Sequence, residues 1–205
     1  MNISRLLSVA PMMERTDRHC RYFFRLLSQQ TLLYSEMINA NAITKGNKTR
    51  LLNFSEIEHP LALQIGGSDP KLLAEATKIG VDWGYDEINL NVGCPSSRVS
   101  SGDFGAVLMK RKDHVAKCVD AMAQFSSNVP ISVKCRIAVD DQDPEKILPS
   151  FIKTVSNSGV SIFIIHARKA ILSGLSPKDN RKIPPIDYNL VKKIKAQFPK
   201  LEICL

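Results

Sequence analysis

The stretch EINLNVGCPS, residues 87–96, carries the pattern that decides the fold. It opens as a largely apolar run, typical of a strand covered on both faces, and continues into a Gly-Cys-Pro-Ser turn. Similar runs, each a predicted strand, lie at 6–11, 32–37, 61–66, 131–136, 162–167 and 201–205. Amphipathic segments at 17–29, 70–80, 112–125, 143–159 and 187–198 predict the helices between them. This repeat of strand and helix indicates an α/β fold built on a parallel sheet.

Polar and reactive residues follow almost every predicted strand: Pro11 with Met12, Glu36, Gln64, Asn91 with Cys94, Lys134 with Arg136, and His166 with Arg168. A doubly wound sheet gathers its ligands at one switch point, whereas a (β/α)8 barrel uses the carboxyl ends of many strands. The first strand is also not followed by the Gly-x-Gly-x-x-Gly turn of dinucleotide-binding sheets. We therefore predict a (β/α)8 TIM barrel.

The strand count stops at seven, and the run at 201–205 is the last of the chain. TIM barrels typically need ~250 residues, and their phosphate site usually follows strands seven and eight. From this we expect residues 1–205 to form one incomplete TIM-barrel domain, truncated within strand 7.

Composition narrows the class of protein. No apolar run approaches the ~18 residues of a membrane span, and the N-terminus lacks the features of a secretory signal, so we expect no membrane partner. Five scattered cysteines without a CxxC pair predict free thiols, no metal site and a cytoplasmic location. The net charge of +8 favours a polyanionic partner. Between residues 168 and 200 the sequence has nine Lys or Arg and only two acidic residues. This excess of basic residues suits phosphate contacts but is equally typical of a solvated surface.

Cys94 has four interpretations: a small core residue, a nucleophile, a metal ligand or a proton donor. Core packing is the commonest role of a free cysteine, but Cys94 lies beyond the end of its strand. No neighbouring His or Asp in the sequence could activate it as a nucleophile. A thiol with the ordinary pKa of ~8.5 is mostly protonated at neutral pH, so a general acid suits this position better.

The other strand-end residues suit a planar, electron-rich cofactor across the barrel mouth. Pro11, Met12 and Met13 could pack against one ring face, and Gln64 could hydrogen-bond the ring edge. Lys134 and His166 could supply a cation beside it. Each has a plainer alternative as core filler, loop cap or structural histidine, and only their joint placement at strand ends favours the site.

Several motifs together resemble the tRNA-dihydrouridine synthases, specifically the DusA branch: SVAPMMERTDRHCRYFFRLLS, LYSEM, LALQIGGSDP, YDEINLNVGCPS, FGAVLMK and FIIHARKAILSGLSPKDNRKIPPIDY. The resemblance implies a barrel that binds FMN, takes electrons from NADPH and reduces a uridine in the D-loop of tRNA. Cys94 occupies the position of the proton donor. The flavin contacts fall on Pro11, Met12, Met13, Gln64, Lys134 and His166, and the tRNA contacts on Asn91, Lys178 and Arg181.

The family pattern continues beyond residue 205 into turns that bind the flavin phosphate and a C-terminal helical domain. The resemblance thus implies that this chain lacks that domain, and it leaves open whether a further C-terminal polypeptide completes the barrel. Two alternatives to the tRNA reductase stay open. One is a non-catalytic fragment of a split or decayed gene with little FMN affinity. The other is a flavin barrel acting on a small pyrimidine, against which the basic segment SPKDNRKIPP argues.

Overall fold

A parallel sheet whose strand order follows the chain forms the centre of the computed structural model, which describes residues 3–205. The strands are β1 (Ser8–Val9), β2 (Leu32–Tyr34), β3 (Ile38–Asn39), β4 (Leu61–Gly66), β5 (Glu87–Val92), β6 (Ile131–Arg136), β7 (Ile162–His166) and β8 (Glu202–Cys204). They pair in the order β1-β2-β4-β5-β6-β7-β8, and β3 pairs with β4. The predicted α/β fold with seven parallel strand positions is confirmed.

Of the second predicted strand, 32–37, only Leu32–Tyr34 forms a strand, β2; the short strand β3 begins after it at Ile38, and both pair with β4. The cause lies in the polar residues between them. The backbone N–H of Gln64 donates to the Ser35 side-chain oxygen (3.0 Å), where a regular ladder would offer a backbone carbonyl. The interruption turns this segment of chain toward the carboxyl ends of the strands, where Glu36 and Met37 lie.

The helices are α1 (Arg18–Leu27), α2 (Ala40–Lys45), α3 (Lys48–Leu52), α4 (Pro70–Trp83), α5 (Ser97–Ser101), α6 (Lys112–Ala123), α7 (Pro144–Ser156) and α8 (Tyr188–Gln197), of which α4, α6, α7 and α8 contribute apolar residues to the core beside the sheet. The five predicted helices are α1, α4, α6, α7 and α8. Four of these begin after an aspartate whose side chain accepts backbone N–H bonds: Asp17, Asp69, Asp143 and Asp187. The sequence patterns missed α2, α3 and α5, which are only five or six residues long.

The sheet curls into a half-barrel, and a side chain just before β1 reaches β5 and β8. Arg5, just before β1, forms an ion pair with Glu202 on β8 (3.0 Å) and another with the buried Glu87 on β5. Apolar side chains of the central strands and of α4, α6 and α7 form the core outside this interior. Within residues 3–205, no helix is both long and apolar enough to cross a bilayer.

Candidate active site

A cavity of about 1090 Å³ opens at the carboxyl ends of the strands. Most of the predicted site residues line it: Pro11, Met12, Met13, Gln64, Asn91, Cys94, Lys134, His166 and Arg181. These residues come from the ends of β1, β4, β5, β6 and β7, or the turns that follow them, and from the 3-10 helix Asp179–Arg181, as expected for the upper face of a barrel. Lys178 lies outside this lining, exposed just before the 3-10 helix Asp179–Arg181.

The turn after β1 forms one wall of the cavity. The carbonyl of Met12 accepts the backbone N–H groups of Arg15 (3.1 Å) and Thr16 (3.0 Å), and the Met12 N–H donates to the Thr16 hydroxyl (3.0 Å). These bonds fix the backbone of the Pro11–Met13 segment beside the cavity. Met13 is 55% exposed, so an apolar side chain remains available to a ligand.

Gln64 and Asn91 form a buried amide pair in the floor of the cavity. The Asn91 amide N–H donates to Gln64 Oε1 (2.8 Å), and Gln64 Nε2 donates to Asn89 Oδ1 (2.7 Å). A primary amide offers two donors and two acceptor sites. Gln64 therefore keeps one N–H and one lone pair for a molecule in the cavity.

The Cys94 turn is held at its backbone from several directions. Asn91 Oδ1 accepts the N–H groups of Gly93 (3.2 Å) and Cys94 (3.0 Å), and the Cys94 carbonyl accepts the N–H of Ala106 (2.8 Å). Arg136 Nε donates to the Gly93 carbonyl (3.2 Å). The backbone is thus fixed while the thiol faces the cavity.

The close approach of Ala106 to Cys94 depends on Gly105. Gly105 has a φ of +77°, and a Cβ atom there would lie 2.6 Å from the Cys94 carbonyl oxygen and 2.5 Å from Val99 Cγ1. Sequence reasoning missed this contact, because Gly105 follows Cys94 by a loop and a short helix. The glycine-rich stretch Gly102-Asp103-Phe104-Gly105 was the signal that could have indicated it.

Burial raises the pKa of the Cys94 thiol above its ordinary value. The Ser96 backbone N–H and the charges of Arg136 and Arg181 act in the opposite direction but do not outweigh burial. Cys94 is therefore a protonated thiol at neutral pH, as a proton donor requires.

A group of positive charges surrounds this thiol. Burial, followed by the nearby charge of Arg136, lowers the pKa of Lys134 to about 8. Burial, followed by the charges of Arg136 and Lys134, lowers the pKa of His166 to about 3. His166 is consequently neutral at physiological pH, while much of Lys134 stays cationic.

Arg136 is the centre of this group, and sequence reasoning had identified it only as a polar residue at a strand end. Its side chain is buried and donates to three carbonyl oxygens, those of Gly93 (3.2 Å), Lys169 (3.1 Å) and Asn180 (3.0 Å). Burial lowers its pKa to about 10, so it remains charged. Arg136 thus joins the loops after β5 and β7 to the segment that carries Arg181.

The residues present fit a flavin. Lys134 lines the cavity, and among residues 3–205 no side chain or carbonyl forms a hydrogen bond or ion pair with its Nζ. An unpaired cation of lowered pKa, the free amide groups of Gln64 and the apolar turn at Met12 are what an electron-rich ring system needs. Over the same range, no group of three or more His, Cys, Asp or Glu side chains could hold a metal ion.

Residues 8–205 match the family model described as dihydrouridine synthase (Dus). The chain belongs to the dihydrouridine synthase family. The resemblance read from the motifs is therefore confirmed.

Curated members of the family are similar over almost the whole chain. Proteins named tRNA-dihydrouridine(20/20a) synthase are 59% identical over 197 residues in Synechocystis sp., 52% over 199 in Xanthomonas campestris and 58% over 199 in Escherichia coli. These alignments cover 96–97% of this chain but 57–59% of the relatives. The chain therefore spans less than two thirds of their length.

Solved structures of old yellow enzymes share the fold. TcOYE with pHBA matches with a TM-score of 0.56 at 9% identity, covering 97% of this chain and 84% of that one. The old yellow enzyme homologue from Zymomonas mobilis matches with a TM-score of 0.58 at 12% identity, covering 97% and 83%. At these identities the likeness concerns the fold alone, and it agrees with a TIM-barrel architecture.

Proposed function

We propose that the protein is an FMN-dependent tRNA-dihydrouridine synthase. It would use NADPH to reduce the carbon 5–carbon 6 double bond of a uridine in the tRNA D-loop. Membership of the dihydrouridine synthase family supports this reaction class. The observation that carries the proposal is the Cys94 thiol, which is fixed at its backbone, kept protonated by burial, and directed into a cavity with the donors that a flavin needs.

FMN would be held by residues of three kinds. The Pro11–Met13 turn offers apolar surface to one face of the ring, and Gln64 offers its free N–H and lone pair to the ring edge. Lys134 and His166 face the cavity from neighbouring strands, one as a cation and the other as a neutral imidazole. When bound, and after reduction by NADPH, FMN supplies the hydride to carbon 6 of the uracil.

Cys94 supplies the proton that completes the reduction. The S–H bond breaks as the proton passes to carbon 5, so the uracil gains one hydride and one proton and becomes dihydrouracil. The thiolate left on Cys94 is stabilised by the Ser96 N–H and the charges of Arg136 and Arg181 until water returns a proton. These groups assist the donor after transfer, while burial keeps the proton on it beforehand.

The rim of the cavity favours tRNA over a free pyrimidine as the substrate. Arg181 lines the cavity, Lys178 is exposed beside it, and Asn91 lies at the base of the catalytic turn. Three more exposed arginines line the cavity, at Arg15, Arg50 and Arg98. A uridine must leave its stack to reach a flavin, and exposed cations around the cavity suit the phosphates that flank it.

The decisive experiment compares Cys94→Ala with Cys20→Ala, which removes a thiol from α1. Both variants should bind added FMN to the same extent as the wild type, measured from the change in the visible spectrum of the flavin. On an unmodified tRNA transcript with NADPH, Cys94→Ala should lose dihydrouridine formation, measured by nucleoside mass spectrometry, and Cys20→Ala should keep it. Dihydrouridine formation by Cys94→Ala at the normal rate would remove Cys94 from its role. A wild-type protein that forms no dihydrouridine even with FMN added at saturating concentration would overturn the proposal as a whole.

A further inference from the structure

A chain of buried hydrogen bonds runs through the barrel interior from the Arg5 ion pair to the Cys94 turn. Asn91 and Gln64 form its upper part, described above. Below them, Asn89 Nδ2 donates to Ser132 Oγ (2.7 Å), and the Ser132 hydroxyl donates to Glu87 Oε1. Every side chain along the way is at most 7% exposed: Glu87, Ser132, Asn89, Gln64 and Asn91.

The hydrogen bonds of this series all run in one donor-to-acceptor direction, which the Glu87 carboxylate sets. The Glu87 carboxylate forms an ion pair with Arg5, and in that pair its oxygens only accept hydrogen bonds, so the Ser132 hydroxyl donates to it. The Ser132 oxygen is then the acceptor for an amide N–H of Asn89. The carbonyl of Asn89 is left to accept from Gln64.

The same logic fixes the top of the chain. Because Gln64 donates to Asn89, its carbonyl oxygen is turned to Asn91 and takes the Asn91 amide N–H. Asn91 must therefore present its oxygen, and not its NH2 group, to the N–H groups of Gly93 and Cys94. A reversed Asn91 would place donors against donors and lose both bonds.

We infer that Glu87 and Ser132 are positioning residues for Cys94: they act through the amide chain to keep the Asn91 oxygen directed at the catalytic turn. Neither residue lines the cavity, and Cys94 is several hydrogen bonds away from both. Their effect on proton donation rests on the proposed function. Their effect on the conformation of the turn does not.

The test interrupts the series of hydrogen bonds at Ser132 and measures the consequence at Cys94. Ser132→Ala removes the hydroxyl that enforces the direction, whereas Ser132→Thr retains a hydroxyl and is the matched control. The measurement is the rate of Cys94 alkylation by iodoacetamide as a function of pH, followed by peptide mass spectrometry, with Cys20 as the internal reference. Alkylation needs neither tRNA nor flavin.

In Ser132→Ala, the turn should loosen, and the better-hydrated thiol should react about fivefold faster with a pH midpoint shifted downward. Ser132→Thr should react like the wild type, and Cys20 should be unchanged in both. Glu87→Gln provides a second variant, because a carboxamide can donate as well as accept and so no longer enforces one direction. It should change Cys94 in the same sense.

A double variant separates positioning from general loosening of the fold. Asn91→Asp has two acceptor oxygens and can hold the Cys94 N–H in either orientation. In that background, Ser132→Ala should leave the Cys94 profile unaltered. If Ser132→Ala still accelerates Cys94 alkylation in the Asn91→Asp background, the inference is overturned. It is also overturned if Ser132→Ala and Glu87→Gln are folded and leave the Cys94 profile unchanged. If the wild type forms no dihydrouridine but the variants show the expected change in Cys94 alkylation, the proposed function is refuted and the positioning role of Glu87 and Ser132 stands.

Discussion

Replacing Gly105 with alanine should destabilise the protein more than the same change at Gly159. Both glycines have positive φ, +77° and +92°, but they differ in surroundings. A Cβ at Gly159 meets no atom within 4 Å, whereas at Gly105 it meets the Cys94 carbonyl oxygen at 2.6 Å. The pair therefore separates the cost of the backbone conformation from the cost of the contact.

The magnitudes follow from these two terms. A left-handed backbone costs a non-glycine residue about 1–2 kcal/mol, offset in part by about 0.4–1 kcal/mol from the stiffer unfolded chain. Gly159→Ala should therefore lose about 1 kcal/mol. Gly105→Ala carries the same term and adds about 1–3 kcal/mol for the overlap, because a backbone carbonyl cannot rotate away as a side chain can. Its expected loss is about 2–4 kcal/mol.

Urea unfolding followed by the fluorescence of Trp83, the single tryptophan, measures both losses. Displacement of the Cys94 carbonyl should also change the alkylation rate of Cys94 in Gly105→Ala and leave it unchanged in Gly159→Ala. Equal losses of stability in the two variants would contradict the reasoning, since the contact with Cys94 would then carry no cost.

Three further predictions concern the charged groups. Arg136→Met should lose about 3 kcal/mol of stability, because three buried carbonyls lose a charged donor. It should also raise the pKa of His166, because the nearby positive charge is removed. The rim variant Arg98→Met should have neither effect. His166 has a native pKa of about 3, below its unfolded value of ~6.5, so the free energy of unfolding decreases as the pH is lowered from about 6.5 toward 3. His166→Gln should make the urea midpoint less dependent on pH across that range. The Lys134 amine has a pKa of about 8, so a large fraction of it is neutral and open to acetylation at pH 8. The amine of exposed Lys193, whose pKa is raised by Glu145, should be almost fully protonated at the same pH. A titration midpoint above 10 for Lys134 in competitive labelling would contradict this last expectation.

The fold was predictable where one physical signal dominated. The strands at 61–66, 87–92 and 131–136 were predicted at their observed bounds, because a strand buried on both faces leaves an apolar run with sharp ends. The break between β2 and β3 was missed because it depends on a hydrogen bond between Ser35 and Gln64, 29 residues apart. The short helices α2 and α3 carry too few turns for a periodic pattern, although Asn39 and Asn47 cap them.

The candidate site was predictable to the extent that strand ends indicate it. Gln64, Cys94 and Lys134 follow from strand position, and the cavity brings them together, while their roles remain predictions. The groups that fix the thiol could not be predicted. Arg136 looked like any polar strand residue, and its contacts with three carbonyl oxygens in the loops after β5 and β7 exist only in the folded chain.

The ion pair between Arg5 and Glu202 has a consequence for the order of assembly. Neighbouring strands of the sheet are joined by short stretches of chain, so each βα unit can dock on the preceding one with little loop entropy. The Arg5–Glu202 contact spans 197 residues and can form only after the units between them have docked. Interactions made this late are absent from the folding transition state. Neutralising Glu202 should therefore accelerate unfolding and leave the folding rate almost unchanged.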